Sequence, residues 1–195
     1  DVKHRGITFL LVDMRQKGVE IRPIKMMSGD SEFNEVFFTD ARCPKENVVG
    51  EVNGGWMVAM TLLGNERGAG AVVSSISFRG ELDKLNALAQ EKGLTKDPHI
   101  RQRLAQAHIK VEIMRFLGYR TLTAFMSGNQ PGPEASIGKL WWSEYHKEVT
   151  ELAVDILGAN ALVPVGQTPH TAFTTDSPGS PNDSANWVGV FLNAR

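Results

Sequence analysis

Cysteine is almost absent from this sequence, since Cys43 is the only one among 195 residues. A single cysteine cannot form a disulfide within the chain, so a disulfide-stabilised secreted domain is excluded. We therefore expect a reducing, cytoplasmic setting. Cys43 lies between Arg42 and Pro44 with no histidine near it in the sequence, and this context does not favour a catalytic thiol.

Long apolar runs and an excess of one charge are also missing. No run approaches the roughly 20 residues that span a bilayer, so we expect no membrane partner. The formal net charge is −1, and this balance argues against nucleic acid as a partner. The chain begins at Asp1 rather than Met and stops at Arg195 without a terminating signal. We expect it to be a piece of a longer protein.

The sequence contains no pattern of metal ligands. Its histidines are scattered, and none has a useful spacing to Cys, Asp or Glu. They are His4, His99, His108, His146 and His170. The glycines Gly64, Gly68 and Gly70 lie in helical sequence rather than after a strand, so a nucleotide-binding loop is not indicated. We predict no metal site.

The first fifty residues are typical of β structure. Three short runs of strand-forming residues, Ile7–Val12, Val19–Ile24 and Phe33–Thr39, are separated by turn-forming residues. Pro44, Gly50 and the following Asn-Gly-Gly then end the pattern. We expect residues 1–52 to be the C-terminal part of a β-domain.

From Trp56 onward the apolar residues follow a helical period. The pattern predicts one helix from Trp56 to about Gln90, a second that ends near Gly128, and a third that closes at Gly158. The segment 164–186 is loop-like, and an ordered pattern resumes at 187–192. Three long helices make an incomplete up-down four-helix bundle. The predicted class is α+β, with a bundle domain over residues 53–195.

An ionisable pair, Glu66 and Arg67, interrupts the apolar sequence of the first predicted helix. Burial among apolar residues would raise the pKa of the Glu66 carboxyl, and Arg67 would oppose that rise. Glu66 is therefore the strongest candidate for proton chemistry. The alternative is an ordinary structural ion pair, because such pairs are more common than catalytic ones.

The assembled residues resemble the acyl-CoA dehydrogenase family, and the match extends over essentially the whole chain. Several motifs occur in the family's order with compatible spacing. They are the stretch 34–44, Gly54-Gly55-Trp56, Leu63-x-x-Glu66-Arg67, Ser136-Ile137-Gly138-Lys139 and the stretch 153–158. The resemblance implies a flavoenzyme of three domains. This chain would hold the end of the β-barrel-like middle domain and most of the C-terminal helical domain, with the final helix just beyond Arg195.

The resemblance also implies a reaction, the α,β-dehydrogenation of an acyl-CoA thioester with FAD as cofactor. A carboxylate removes the α-proton, and the β-hydrogen leaves as hydride to the flavin. In one branch of the family the base lies on the first helix of this domain, directly before an Arg, and Glu66 stands at that position beside Arg67. In another branch the base lies in the loop before the final helix. An electron-transfer flavoprotein is the acceptor implied, and a homo- or hetero-oligomer is expected.

Two departures from the family pattern concern the flavin. The usual Arg-x-x-Phe-Gly loop is shortened here, which leaves Lys92 as the nearest cation, without the bidentate fork of Arg. The usual Gln-x-x-Gly-Gly is replaced by Asp155, Gly158 and Ala159. An acidic residue facing a pyrophosphate is unfavourable, whereas Gly158 still allows close backbone approach.

These departures leave two alternatives to a catalytic dehydrogenase. One is a non-catalytic assembly subunit of a hetero-oligomeric acyl-CoA dehydrogenase. The other is a flavin oxidase or monooxygenase on the same fold, since fold alone does not fix the chemistry.

Overall fold

A computed structural model describes residues 3–66, 70–129, 132, 136–162 and 184–195, and for residues 66, 70–74 and 184–186 it describes the backbone only. Within these described residues, four short strands precede five helices, which confirms the predicted α+β class. The chain divides into two compact units, Asp1–Glu66 and Arg67–Arg195. The predicted domain boundary between residues 52 and 53 remains a prediction.

The first unit contains two small antiparallel sheets. Strand β1 (Phe9–Leu10) pairs with β4 (Val48–Val49), and β2 (Val19–Ile24) pairs with β3 (Phe33–Phe38). The three strands expected from the sequence are confirmed, although β1 is limited to two residues because β4 is only two residues long. Strand β4 follows a 3₁₀ turn at Lys45–Asn47 and had no clear signal in the sequence.

The β2–β3 hairpin keeps one register along its length, from Val19 opposite Phe38 to Ile24 opposite Phe33. Pro23 is tolerated because both strands of a two-stranded sheet are edges. Phe33 and Phe38, at the two ends of β3, are 62% and 57% exposed, so no layer of described residues covers these two side chains.

Helix α1 (Gly55–Glu66) begins against strand β1. A Cβ at position 55 would lie 2.4 Å from the backbone nitrogen of Phe9, so only glycine allows this approach. Trp56, the next residue, stacks on His4 with ring centroids 3.9 Å apart. Helix α2 (Gly70–Glu91) follows. Helical structure is confirmed on both sides of residues 67–69, which lie outside the described residues, so that the continuity of a single helix over 56–90 remains a prediction.

The second unit is a helical bundle of α2, α3 (Pro98–Met126), α4 (Ser136–Leu157) and α5 (Ser184–Asn193). Asp97 caps α3 by accepting hydrogen bonds from the backbone N–H groups of His99 and Ile100. Gly128, with φ +75°, follows the end of α3 at the predicted place. The predicted apolar stripes form the core. Its members include Leu82, Leu85, Leu88, Leu104, Val111, Tyr145, Val149, Leu152 and Ile156.

Helix α5 adds a fourth element to the bundle. The sequence predicts order only over 187–192, but the helix begins at Ser184, so the last residues of the predicted loop are helical. Trp187 and Val190 are one helical turn apart and almost fully buried. This spacing places both side chains in the core. Residues 163–183, which include the rest of that loop, lie outside the described residues. The helix expected beyond Arg195 remains a prediction.

No helix within the described residues is long and apolar enough to span a membrane.

Candidate functional site

Glu66 is the last residue of helix α1, and the structure describes its backbone only. Arg67 lies outside the described residues. Of the apolar residues around them, Leu62 and Leu63 are 52% and 43% exposed. The roles of Glu66 and Arg67 remain predictions.

The other predicted site residues lie at one end of the bundle. Helices α2 and α3 are joined by the short turn 92–97, and α3 and α4 run antiparallel. The C-terminal ends of α2 and α4 therefore lie together with the N-terminal end of α3. Lys92, Asp155, Gly158 and Ala159 share this end, and all four are exposed.

Asp155 does not present an isolated negative charge. Its carboxylate accepts a hydrogen bond from the Nη1 group of Arg103 on α3, whose side chain is 41% exposed. The sequence analysis did not identify Arg103 as a site residue. Nothing in the sequence indicates that Arg103 contacts Asp155, which lies 52 residues later in the chain. The sequence-based objection that an acid would face a phosphate is therefore weakened.

Gly158 has φ +57°, and it begins a 3₁₀ turn over Gly158–Ala161. Within the described residues, a Cβ placed on Gly158 would have no atom within 4 Å. The positive φ of this residue favours glycine. The roles of Lys92, Asp155, Gly158 and Ala159 in binding FAD remain predictions.

A second group of polar residues lies in the core and was not predicted. Glu81 on α2 is 2% exposed, and its Oε2 lies 3.6 Å from Nδ1 of His146 on α4. Burial raises the pKa of Glu81 to about 8 and lowers the pKa of His146 to about 4. A sequence signal existed, because Glu81 stands on the same stripe as Leu85 and Leu88, where a carboxylate is unusual.

Tyr145, adjacent to His146, is also fully buried, and its hydroxyl donates to the backbone carbonyl of Phe78 at 3.2 Å. Burial raises its pKa, and the carboxylates of Glu81 and Asp83 raise it further. No cluster of three or more metal-ligating side chains occurs within the described ranges.

Comparison with known proteins identifies the family to which the helical bundle belongs. The family described as "Acyl-CoA dehydrogenase, C-terminal domain" matches residues 53–179. Acyl-CoA dehydrogenase IpdE1 of Mycolicibacterium smegmatis is 42% identical over 160 residues, which are 82% of this chain and 40% of that protein. The chain therefore spans less than half the length of this curated relative.

Two solved structures are also similar to this chain. The Tcur3481–Tcur3483 steroid ACAD has a TM-score of 0.78 at 26% identity, and the match covers all of this chain and 47% of that one. The ChsE4–ChsE5 complex from Mycobacterium tuberculosis has a TM-score of 0.70 at 26% identity, over 98% of this chain and 49% of that one. This chain belongs to the acyl-CoA dehydrogenase family.

Proposed function

We propose that this chain is part of an FAD-dependent acyl-CoA dehydrogenase of lipid degradation, which oxidises the α,β bond of an acyl-CoA thioester. The proposal is supported by the family match over residues 53–179 and by the 42% sequence identity to an acyl-CoA dehydrogenase. Because the chain spans 40% of that relative, the activity belongs to the complete protein. We expect the isolated chain to be inactive.

Glu66 is the proposed general base. A base for α-proton removal must be ionised and must lie within hydrogen-bond reach of the substrate carbon. Arg67, next in the chain, favours the ionised carboxylate by its positive charge and is the proposed electrostatic neighbour on the substrate side. When bound, FAD supplies the acceptor for the β-hydrogen. The hydride would bring two electrons to the flavin, and an electron-transfer flavoprotein, the proposed redox partner, would accept them from the reduced flavin.

The proposed flavin contact is the end of the bundle with Lys92, Asp155, Gly158 and Ala159. Arg103 joins these residues because it pairs with Asp155. Gly158 has no side chain and allows close backbone approach, and Lys92 and Arg103 supply positive charge at this end of the bundle. These features support binding of an anionic pyrophosphate.

An oligomer is proposed as the working form, in a cytoplasmic setting. The C-terminal half of α3 exposes Phe116, Tyr119 and Met126, by 57%, 48% and 81%. A contiguous exposed apolar surface of this kind is typical of an interface. The ChsE4–ChsE5 neighbour is described as a complex of two proteins, which makes a hetero-oligomer as reasonable to test as a homo-oligomer.

The second candidate is a non-catalytic assembly subunit of such a hetero-oligomer. The observations that favour it are the two departures from the family's pattern, at Lys92 and at Asp155. A flavin oxidase or monooxygenase is the third candidate, since the same fold supports it.

The test uses the full-length protein, alone and with any copurifying subunit. We expect stoichiometric FAD and anaerobic bleaching of the flavin by an acyl-CoA, with little oxygen consumption in air. A steroid-bearing acyl-CoA is the first substrate to compare with short linear ones, given the neighbour described as a steroid ACAD. Rapid oxygen consumption would indicate an oxidase. Absence of flavin in every preparation would indicate an assembly subunit.

A further inference from the structure

A carboxyl group faces an imidazole in the middle of the bundle core. Glu81 Oε2 and His146 Nδ1 are 3.6 Å apart, and their side chains are 2% and 10% exposed. Among the described residues, Glu81 Oε1 and His146 Nδ1 have no hydrogen-bond partner. Buried polar atoms are nearly always paired in folded proteins, so this juxtaposition calls for a specific explanation.

The polar neighbours of the pair already have other partners. The Tyr145 hydroxyl donates to the carbonyl of Phe78 at 3.2 Å, and the Thr150 hydroxyl donates to the backbone carbonyl of His146 at 2.8 Å. The Phe78 ring meets the His146 ring edge-on, with centroids 5.7 Å apart. Both side chains are almost fully buried, and an ionised group there would be costly.

Few charges act on the pair from the helices around it. On α2, Lys84 lowers the pKa of Glu81, but burial outweighs it. On α4, Tyr145 stays neutral because its pKa is raised.

Several charged groups of the surrounding helices form ion pairs with one another at the surface. Arg79 on α2 bridges Asp83 on its own helix and Glu112 on α3, which also pairs with Arg115. Beyond α5, Arg195 pairs with Glu151. None of these pairs places a full positive charge on the Glu81 carboxyl.

We propose that the Glu81 carboxyl is protonated at neutral pH and that His146 is neutral. The carboxyl proton then forms a hydrogen bond to His146 Nδ1, which joins α2 to α4. Burial supports this location, since it raises the pKa of Glu81 to about 8 and lowers the pKa of His146 to about 4. A hydrogen bond requires the two atoms to approach from 3.6 Å to about 3 Å. The His146 ring then carries its own proton on Nε2.

This contact gives the bundle a neutral, directional link between α2 and α4. Its geometry depends on the relative rotation and height of both helices, whereas apolar packing alone tolerates small shifts. It also makes the packing of α2 on α4 sensitive to pH, because ionising the acid would leave a charge in the core. The inference does not depend on the proposed enzymatic activity.

The test is infrared spectroscopy of the full-length protein at pH 7, together with ¹⁵N NMR of its histidines. We expect a carbonyl stretch from a protonated carboxylic acid that is lost in Glu81→Gln and retained in Asp83→Asn, the matched exposed carboxyl on the same helix. The stretch should shift in His146→Asn because the hydrogen bond is removed.

The NMR measurement needs no variant. We expect the His146 imidazole to stay neutral from pH 5 to 8. An imidazolium at His146 at pH 7, without a carboxylic acid stretch, would overturn the proposal in favour of a buried ion pair. A neutral His146 without the carboxylic acid stretch would also overturn the proposal, because the Glu81 carboxyl would then be ionised.

Discussion

Arg103 on α3 donates a hydrogen bond to the carboxylate of Asp155 on α4, at the end of the bundle that carries Gly158. Seven residues further along α3, Lys110 forms a second pair with Glu148 of α4. Both pairs are partly exposed, so each contributes little to stability. They differ in position, because only the first lies at the proposed flavin contact.

We predict that Arg103→Gln weakens FAD binding by the full-length protein by roughly tenfold, which corresponds to about 1.4 kcal/mol. The reason is that the Asp155 carboxylate, left uncompensated, would repel the pyrophosphate. Titration of the apoprotein with FAD, followed by flavin fluorescence, measures the change.

Lys110→Gln is the matched control and should leave FAD affinity unchanged. The double variant Arg103→Gln/Asp155→Asn should regain most of the affinity, since both charges are then absent. Equal losses in the two single variants would refute a role specific to Arg103.

We predict an unusual pH dependence of stability from Glu81 and His146. The unfolded chain protonates His146 below pH 6.5 and Glu81 below 4.5, whereas the native pair keeps one proton between about 4 and about 8. The contribution of the pair to the free energy of unfolding is therefore constant from pH 4.5 to 6.5. It falls by about 2 kcal/mol between pH 6.5 and 8, where only the native state holds the proton.

Two variants separate the contributions of the pair. In Glu81→Gln only the histidine remains, so stability should rise from pH 4 to 6.5 and then level off. In His146→Asn only the acid remains, so stability should fall continuously from pH 4.5 to 8. Urea unfolding at several pH values measures these curves. Parallel curves for the parent protein and both variants would show that neither group titrates as described.

We predict that Trp187→Ala destabilises the bundle by about 3–5 kcal/mol, because Trp187 is fully buried against the α4 side of the core. Phe191→Ala on the same helix is the control. Phe191 is half-buried and lies under the Arg195 guanidinium, so its loss should cost about 1 kcal/mol. Equal effects in chemical unfolding would show that α5 is not anchored by Trp187.

The bundle core could be predicted from the sequence because helical periodicity directly reports which face is apolar. Leu82, Leu85 and Leu88, for example, lie on α2 where their spacing indicates. The start of α5 was less clear, since only Trp187 and Val190 mark its buried face and the preceding segment has no periodicity. Strand β4 could not be found because two residues carry no pattern.

The candidate site was only partly predictable. Glu66 and Gly158 were found through local motifs that resemble those of a family. Arg103 and the Glu81–His146 pair depend on contacts between helices that are distant in sequence, and a single sequence does not reveal which residues meet across a bundle. Glu81 did carry a local signal as a carboxylate on an apolar stripe, whereas His146 carried none.

The general-base role of Glu66 is tested most directly by anaerobic stopped-flow reduction of the flavin in the full-length protein. Glu66→Gln keeps the shape of the side chain but removes the base, so flavin reduction by an acyl-CoA should slow by at least about 100-fold while FAD remains bound. Glu51→Gln, which changes an exposed carboxylate of the first unit, should leave the rate unchanged. A Glu66→Gln enzyme that retains FAD and reduces it at the parent rate would contradict this role, and a different residue would then have to be the base.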